Sequence, residues 1–238
     1  PCKVVRMQHH PGYLTAKPLT GAAAPRTPRA LLRGLVAMVP PLARSWNRRR
    51  LLQRMRASLG YEPDLRRPRT FNERMARKIL DDRDPRIPLT LDKFAVRAWV
   101  SERIGAGFLI PLHGVWDRPE DIPWDRLPDR FVLKANHGCG YNVLVTDKNA
   151  VDRDAVSAQL RNWLNERYDE VTGEWGYRNI RPRLLAEEFL SDSEGDVPPA
   201  DFKLYVFGGR VRMLQVHLDR FSRHRQLWFD PRTLQPLE

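Results

Sequence analysis

The segment FVLKANHGCGYNVLVTDK, residues 131–148, places a lysine at the end of one apolar run and two glycines in the loop before the next. That pairing suits phosphate binding: the Lys134 ammonium acts as a point charge, while Gly138 and Gly140 let backbone N–H groups approach phosphate oxygens. Two commoner phosphate loops are excluded by spacing. A Walker loop needs GxxxxGK followed by a helix and a dinucleotide fingerprint needs GxGxxG opening one, whereas here both flanks read as strands. Taken alone, the segment also describes an ordinary hairpin with glycines in its turn.

Two further segments carry candidate chemistry. In RPRLLAEEFLSDSEGD, residues 181–196, an apolar strand runs into Glu187, Glu188, Phe189 and Leu190 before a polar turn. A carboxylate accepts from an adenine amino group while a neighbouring main-chain N–H donates to a ring nitrogen, so the pattern suits adenine recognition, though an edge strand with charged outer residues looks the same. DFKLYVFGGRVRMLQVHLDR, residues 201–220, reads as a hairpin turning at Gly208 and Gly209 and bracketed by Lys203 and Arg220. Alternation sets Lys203 and Tyr205 on one face and Phe202, Leu204 and Val206 on the other, leaving Lys203 either in a cleft or simply exposed. His9, His10, His113, His137, His217 and His224 show no metal-ligand spacing. Cys139 has no identified base to activate it, and with Cys2 as the other cysteine neither a disulfide framework nor a thiolate cluster is expected.

The elements that must hold these residues follow from periodicity. Strands are predicted at 108–111, 131–134, 142–146, 184–189, 202–207 and 211–218, and helices from a TFNE capping box at Thr70, over 91–104 with a stop at Gly105, and over 154–168. Their irregular alternation implies an α+β fold rather than a doubly wound sheet. Residues 1–69 read as a basic leader, largely disordered or helical, followed by an entry region at 70–130, a phosphate-loop lobe at 131–190 and an incomplete second lobe at 191–238.

Charge sharpens that division. The net charge is +12, but the first 80 residues carry 18 Lys or Arg against 3 Asp or Glu, so the basic character belongs to the N-terminal third. RSWNRRRLLQRMR, residues 44–56, reads as a basic amphipathic helix, suited to a solvated surface, an anionic membrane or nucleic acid. The most apolar stretch, 30–43, is shorter than the ~20 residues a span needs and contains Arg33, Pro40 and Pro41, so no transmembrane helix is expected. With only Cys2 and Cys139 present a reducing, cytoplasmic setting is expected, and the opening, with neither a signal-peptide core nor an initiator methionine, reads as a processed chain or fragment.

The order of DKFAVRAWVSERIG (92–105), LIPLHGVW (109–116), LPDRFVLKANHGCGYN (127–142), LLAEEFL (184–190) and DFKLYVFGGRVR (201–212) resembles the TupA-like branch of the ATP-grasp superfamily, of the teichuronopeptide and polysaccharide biosynthesis type. The resemblance covers roughly residue 70 onward and implies two lobes with antiparallel sheets. It implies that Lys134 contacts the α and β phosphates of ATP, that Lys93 is an earlier phosphate-side lysine, and that the loop with His137, Gly138, Cys139 and Gly140 closes over them. Glu187, with the backbone of Glu188 and Leu190, would hold the adenine. Asp192, Glu194 and Asp201 compete for the ribose, with Asp201 favoured, and Lys203 and Arg220 would face the γ-phosphate and an acceptor carboxylate.

Family members hold Mg²⁺ with acidic residues and usually an asparagine on later strands. Asp219 and Asp230 do not match that spacing, so the resemblance leaves the chain looking truncated, with weak nucleotide binding and little turnover expected. What it implies overall is an ATP-dependent carboxylate–amine ligase in bacterial cell-surface polysaccharide assembly. That enzyme would join an amino acid or peptide amine to a uronic-acid-bearing polymer or precursor and lie in the cytoplasm, peripheral to the inner membrane. A phosphotransferase, and a nucleic-acid or membrane-surface protein acting through its basic leader, are the alternatives.

Overall fold

The computed structural model describes residues 40–191, 199–218 and 223–237. Arg220, Asp192, Glu194 and the first part of the basic leader lie outside the described residues. Four helices come first: α1 (Pro40–Leu59), α2 (Phe71–Asp81), α3 (Arg86–Leu91) and α4 (Ala95–Ile104). Thr70 caps α2 with the predicted box, its hydroxyl accepting from the Glu73 N–H while the Glu73 carboxylate accepts from the Thr70 N–H. Buried Met55 and Leu59 of α1 pack with Leu65 and with Ala76 and Leu80 of α2, so the basic helix turns its apolar stripe onto the folded body. Arg50 and Arg54 also donate to the carbonyls of Glu170, Val171 and Thr172, tying α1 to the end of a later helix.

The predicted helix over 91–104 is instead broken at Asp92. Asp92 ends α3, and its Oδ1 accepts from the N–H groups of Phe94 (2.8 Å) and Ala95 (3.2 Å), a local alternative to helical bonding that also starts α4. The strand expected at 108–111 begins at Leu112, after a 3₁₀ turn at Ala106–Phe108 that leaves Phe108 exposed.

The first sheet has the order β1–β4–β2–β3, every neighbouring pair antiparallel, with β1 at Leu112–Trp116, β2 at Phe131–Ala135, β3 at Asn142–Val145 and β4 at Leu184–Glu188. Helix α5 (Arg153–Asn165), capped by Asp152, and the short α6 (Tyr168–Thr172) lie between β3 and β4 in sequence. They replace the single helix expected over 154–168. Alternation along β2 sends Phe131, Leu133 and Ala135 into the core with Val145, Leu184, Ala186 and the α5 residues Val156 and Leu160. Lys134 and Glu187 therefore belong to the opposite face, because Val132 pairs with Glu187 and Lys134 with Leu185 in the β2–β4 register.

The second sheet is a three-stranded antiparallel meander, β5 (Asp201–Phe207), β6 (Arg210–Leu218) and β7 (Arg225–Phe229). Gly208 and Gly209 make its first turn at φ 57° and 72°, the left-handed conformation a two-residue hairpin requires. Here the polarity is inverted relative to an ordinary half-buried sheet. Phe202, Leu204 and Val206 are exposed, while Gln215 and His217, on the face of Lys203 and Tyr205, are buried. A helix–sheet contact is made by Phe71, whose ring meets those of Tyr205 and Phe207 edge-on at 6.4 and 6.0 Å.

Candidate functional site

On the face of the first sheet away from the core, the Lys134 ammonium contacts Glu187 Oε2. The other carboxylate oxygen accepts from Arg97 Nη1 at 3.0 Å, and Arg97 Nη2 donates to the Ile110 carbonyl at 2.7 Å. Arg97 comes from α4, so that helix brings a second cation to a strand ninety positions away. Glu187 is 7 % exposed, and its two partners leave neither oxygen uncompensated.

The glycine loop sits beside this group. Lys93, in the turn between α3 and α4, donates its ammonium to the carbonyls of Gly138 and Ala135, and its backbone N–H to the Asn136 carbonyl at 3.1 Å. Burial pulls Lys93 down to about 8; Cys139 and Glu187 act against the fall, and Lys134 adds to it. Asn136 is the joint. Fully buried, it donates to Asp92 Oδ1 at 2.9 Å and to the Arg181 carbonyl at 3.0 Å, and its Oδ1 accepts from the Arg183 N–H at 2.7 Å. The Lys93 turn, the glycine loop and the approach to β4 are thereby fixed to one another.

An aromatic stack supports the loop from below. Tyr141 lies parallel to Trp163 at 5.2 Å and donates to Glu166 Oε2 at 2.6 Å, and burial followed by that bond raises its hydroxyl well above the ordinary tyrosine range. Gly138 is needed here for packing: a Cβ would stand 2.3 Å from the Tyr141 ring. Gly140 turns the loop at φ 81°. His137 is buried, and its Nε2 faces the Trp163 carbonyl at 2.9 Å. A carbonyl only accepts, so Nε2 carries the proton and the buried Nδ1, which has no hydrogen-bond partner, is the bare nitrogen of a neutral ring. Burial also lowers the His137 pKa, in keeping with a neutral ring.

Lys93, Lys134, Glu187 and the loop residues His137, Gly138, Cys139 and Gly140 are thus brought into one neighbourhood. Cys139 is exposed on the loop. Glu188 and Leu190 continue from β4 and are exposed. Lys203 and Asp201 lie on the second sheet, joined at 2.8 Å. Arg97 and Asn136 were not singled out by sequence reasoning. Asn136 stands inside the glycine segment and is signalled there, whereas nothing local marks Arg97.

A family model described as TupA-like ATPgrasp matches residues 73–235. The chain belongs to the TupA-like ATP-grasp family. Comparison with curated proteins and with solved structures finds no match. As a TupA-like ATP-grasp protein it carries an ATP-dependent, ligase-like function, and the match takes in both sheets and begins inside α2. The residues present fit a polyphosphate, since two ammonium groups border a glycine loop. Among the described residues no three His, Cys, Asp or Glu side chains come together as a metal site. No helix among the described residues is long and apolar enough to cross a membrane.

Proposed function

We propose that this TupA-like ATP-grasp protein is a carboxylate–amine ligase of cell-surface polysaccharide assembly, built in two lobes around an ATP site at Lys93, Lys134 and the 137–140 loop. The supporting observation is that each ammonium group rests on an acceptor that a phosphate oxygen replaces. Lys134 is on Glu187, and Lys93 is on the loop carbonyls of Ala135 and Gly138. In this reading Lys134 contacts the α and β phosphates and Lys93 the phosphate side of the loop. Glu187 and the backbone of Glu188 and Leu190 border the adenine, Asp201 takes the ribose, and Lys203 and Arg220 face the γ-phosphate and the acceptor carboxylate.

The reaction proceeds in two displacements. A carboxylate oxygen of the acceptor, a uronic acid of a polymer or its precursor, attacks the γ-phosphorus, and ADP departs with the electrons of the broken P–O bond. An amino acid or peptide amine then attacks the acyl carbon, phosphate leaves, the amine gives up a proton, and an amide remains. The protein's contribution is alignment and charge neutralisation by lysines already desolvated before the nucleotide arrives.

Product analysis tests it. With ATP, a uronic-acid acceptor and an amine, phosphate release that requires the amine and yields an amide supports the ligase. A stable phosphorylated acceptor overturns it in favour of phosphoryl transfer. ATP affinity unchanged in Lys134→Ala overturns the phosphate assignment.

A further inference from the structure

Among the described residues 48–80, few carboxylates accompany many arginines. Between residues 48 and 80 the acidic residues are Glu62, Asp64 and Glu73. Glu62 is bound by Arg56. Asp64 Oδ1 accepts from the backbone N–H groups of Arg66 (2.8 Å) and Arg67 (3.1 Å). Glu73, buried, accepts from the backbone of Asp64, Arg69 and Thr70 at 3.0, 2.8 and 2.9 Å. Two carboxylates are thus engaged by main-chain donors, and they lock a loop on which Arg66, Arg67 and Arg69 are exposed.

Helices α1 and α2 extend the same basic surface. Arg48 and Arg49 of α1 and Arg74 and Arg77 of α2 are exposed. Arg48, Arg66 and Arg77 converge on a cleft of ≈ 360 Å³ lined also by Leu65 and Leu80, with Asp81 at its side 3.7 Å from Arg77. This is a broad patch drawn from two helices and the loop between them.

We propose that this face docks the protein on an anionic phospholipid bilayer, the cleft taking one phosphodiester headgroup between guanidinium forks. Guanidinium groups match phosphate geometry with paired N–H donors, and basic residues near an anionic membrane surface are drawn to it. The contact is electrostatic, because the described apolar residues of α1, Leu51, Leu52, Met55 and Leu59, are already packed in the cluster shared with α2. Among the described aromatic residues of this face, Tyr61 and Phe71 are each partly engaged within the fold. The Tyr61 hydroxyl is tied to Thr70, and Phe71 is packed against Tyr205 and Phe207. Docking is separate from the nucleotide site and stands whether or not the ligase reading does.

The test is sedimentation of the full chain with phosphatidylglycerol–phosphatidylcholine vesicles and with phosphatidylcholine vesicles alone, beside binding to glycerol phosphate and to duplex DNA. The expected result is binding to the anionic vesicles only, weakening with salt, and reduced on the order of 100-fold by Arg48→Glu with Arg66→Glu and Arg77→Glu, with ATP affinity unchanged. Glutamine at the same three positions, reduced by a smaller factor, serves if the charge-reversed chain does not fold. Absence of vesicle binding, equal binding by the triple variant, or binding to DNA or glycerol phosphate without vesicle binding each overturns the proposal.

Discussion

Lys134 and Glu187 are diagonal neighbours on the outer face of two adjacent antiparallel strands, and the lysine ammonium rests on the carboxylate. The side chains are 22 % and 9 % exposed, so the pair is largely removed from water. Removing one member of such a pair leaves a desolvated charge, which costs about 3–5 kcal/mol in buried settings and less with this much exposure. Glu187→Gln is expected to destabilise the protein by about 2–3 kcal/mol in urea unfolding. Saturating ATP should recover more stability in this variant than in the wild type, since the phosphates meet the stranded Lys134. An equal shift in both proteins counts against the phosphate role.

In the proposed reading, Arg97 is the residue that makes exchange of Lys134 from Glu187 to a phosphate tolerable. When Lys134 turns to a phosphate, Glu187 keeps the Arg97 guanidinium at 3.0 Å and is not left unpaired. Arg97→Gln should therefore weaken ATP binding about 10-fold, as expected for the loss of one charge-assisted hydrogen bond in a half-buried site. Adding Glu187→Gln should restore part of that loss, because the carboxylate that retains Lys134 is gone while an amide oxygen remains to accept from the adenine. If the two substitutions are simply additive by calorimetry, Arg97 acts on the fold alone.

The difference between what could and could not be read from the sequence is visible at these positions. The strand carrying Lys134, the α2 capping box and the Gly208–Gly209 turn are local signals, set by alternation, by a four-residue hydrogen-bond pattern and by φ > 0. The Arg97–Glu187 pair spans ninety residues, and a contact between a helix and a distant strand has no short-range signature. The break at Asp92 was missed for a related reason. Locally only Asp92, whose Oδ1 accepts from the Phe94 and Ala95 N–H groups, resists a continuous helix over 91–104, and it is Asn136, forty-four residues on, that also holds its side chain. The second sheet misleads in the opposite way: its alternation is plain, but the apolar side that alternation assigns to a core is the exposed one.

Lys93 gives a pH dependence with a definite sign. Its folded pKa is about 8, below the ordinary lysine value of 10.5, so between those values the unfolded chain binds more protons and stability rises with pH. The cost of burying the ammonium is present in full below about pH 8 and relieved above it. Phosphate binding demands the charged form, so ATP binding at pH 8.5 should take up protons. Calorimetry in two buffers of different ionisation enthalpy should show the uptake, and Lys93→Met should abolish it.

Gly138 and Gly140 answer to different physics, and alanine separates them. At Gly140 the backbone has φ 81°, so a side chain costs about 1 kcal/mol in conformational strain. At Gly138 a Cβ falls 2.3 Å from the Tyr141 ring, which is held by Trp163 stacking and by the bond to Glu166. Tyr141 cannot yield without loosening the stack beneath the loop, so Gly138→Ala should cost about 1–3 kcal/mol in the denaturation midpoint. Truncating the ring should recover part of that cost, making Gly138→Ala with Tyr141→Leu less destabilised than the sum of the single changes. Gly140→Ala with Tyr141→Leu should be additive. Additivity in both pairs would mean that the loop rests on its own backbone and not on the aromatic stack.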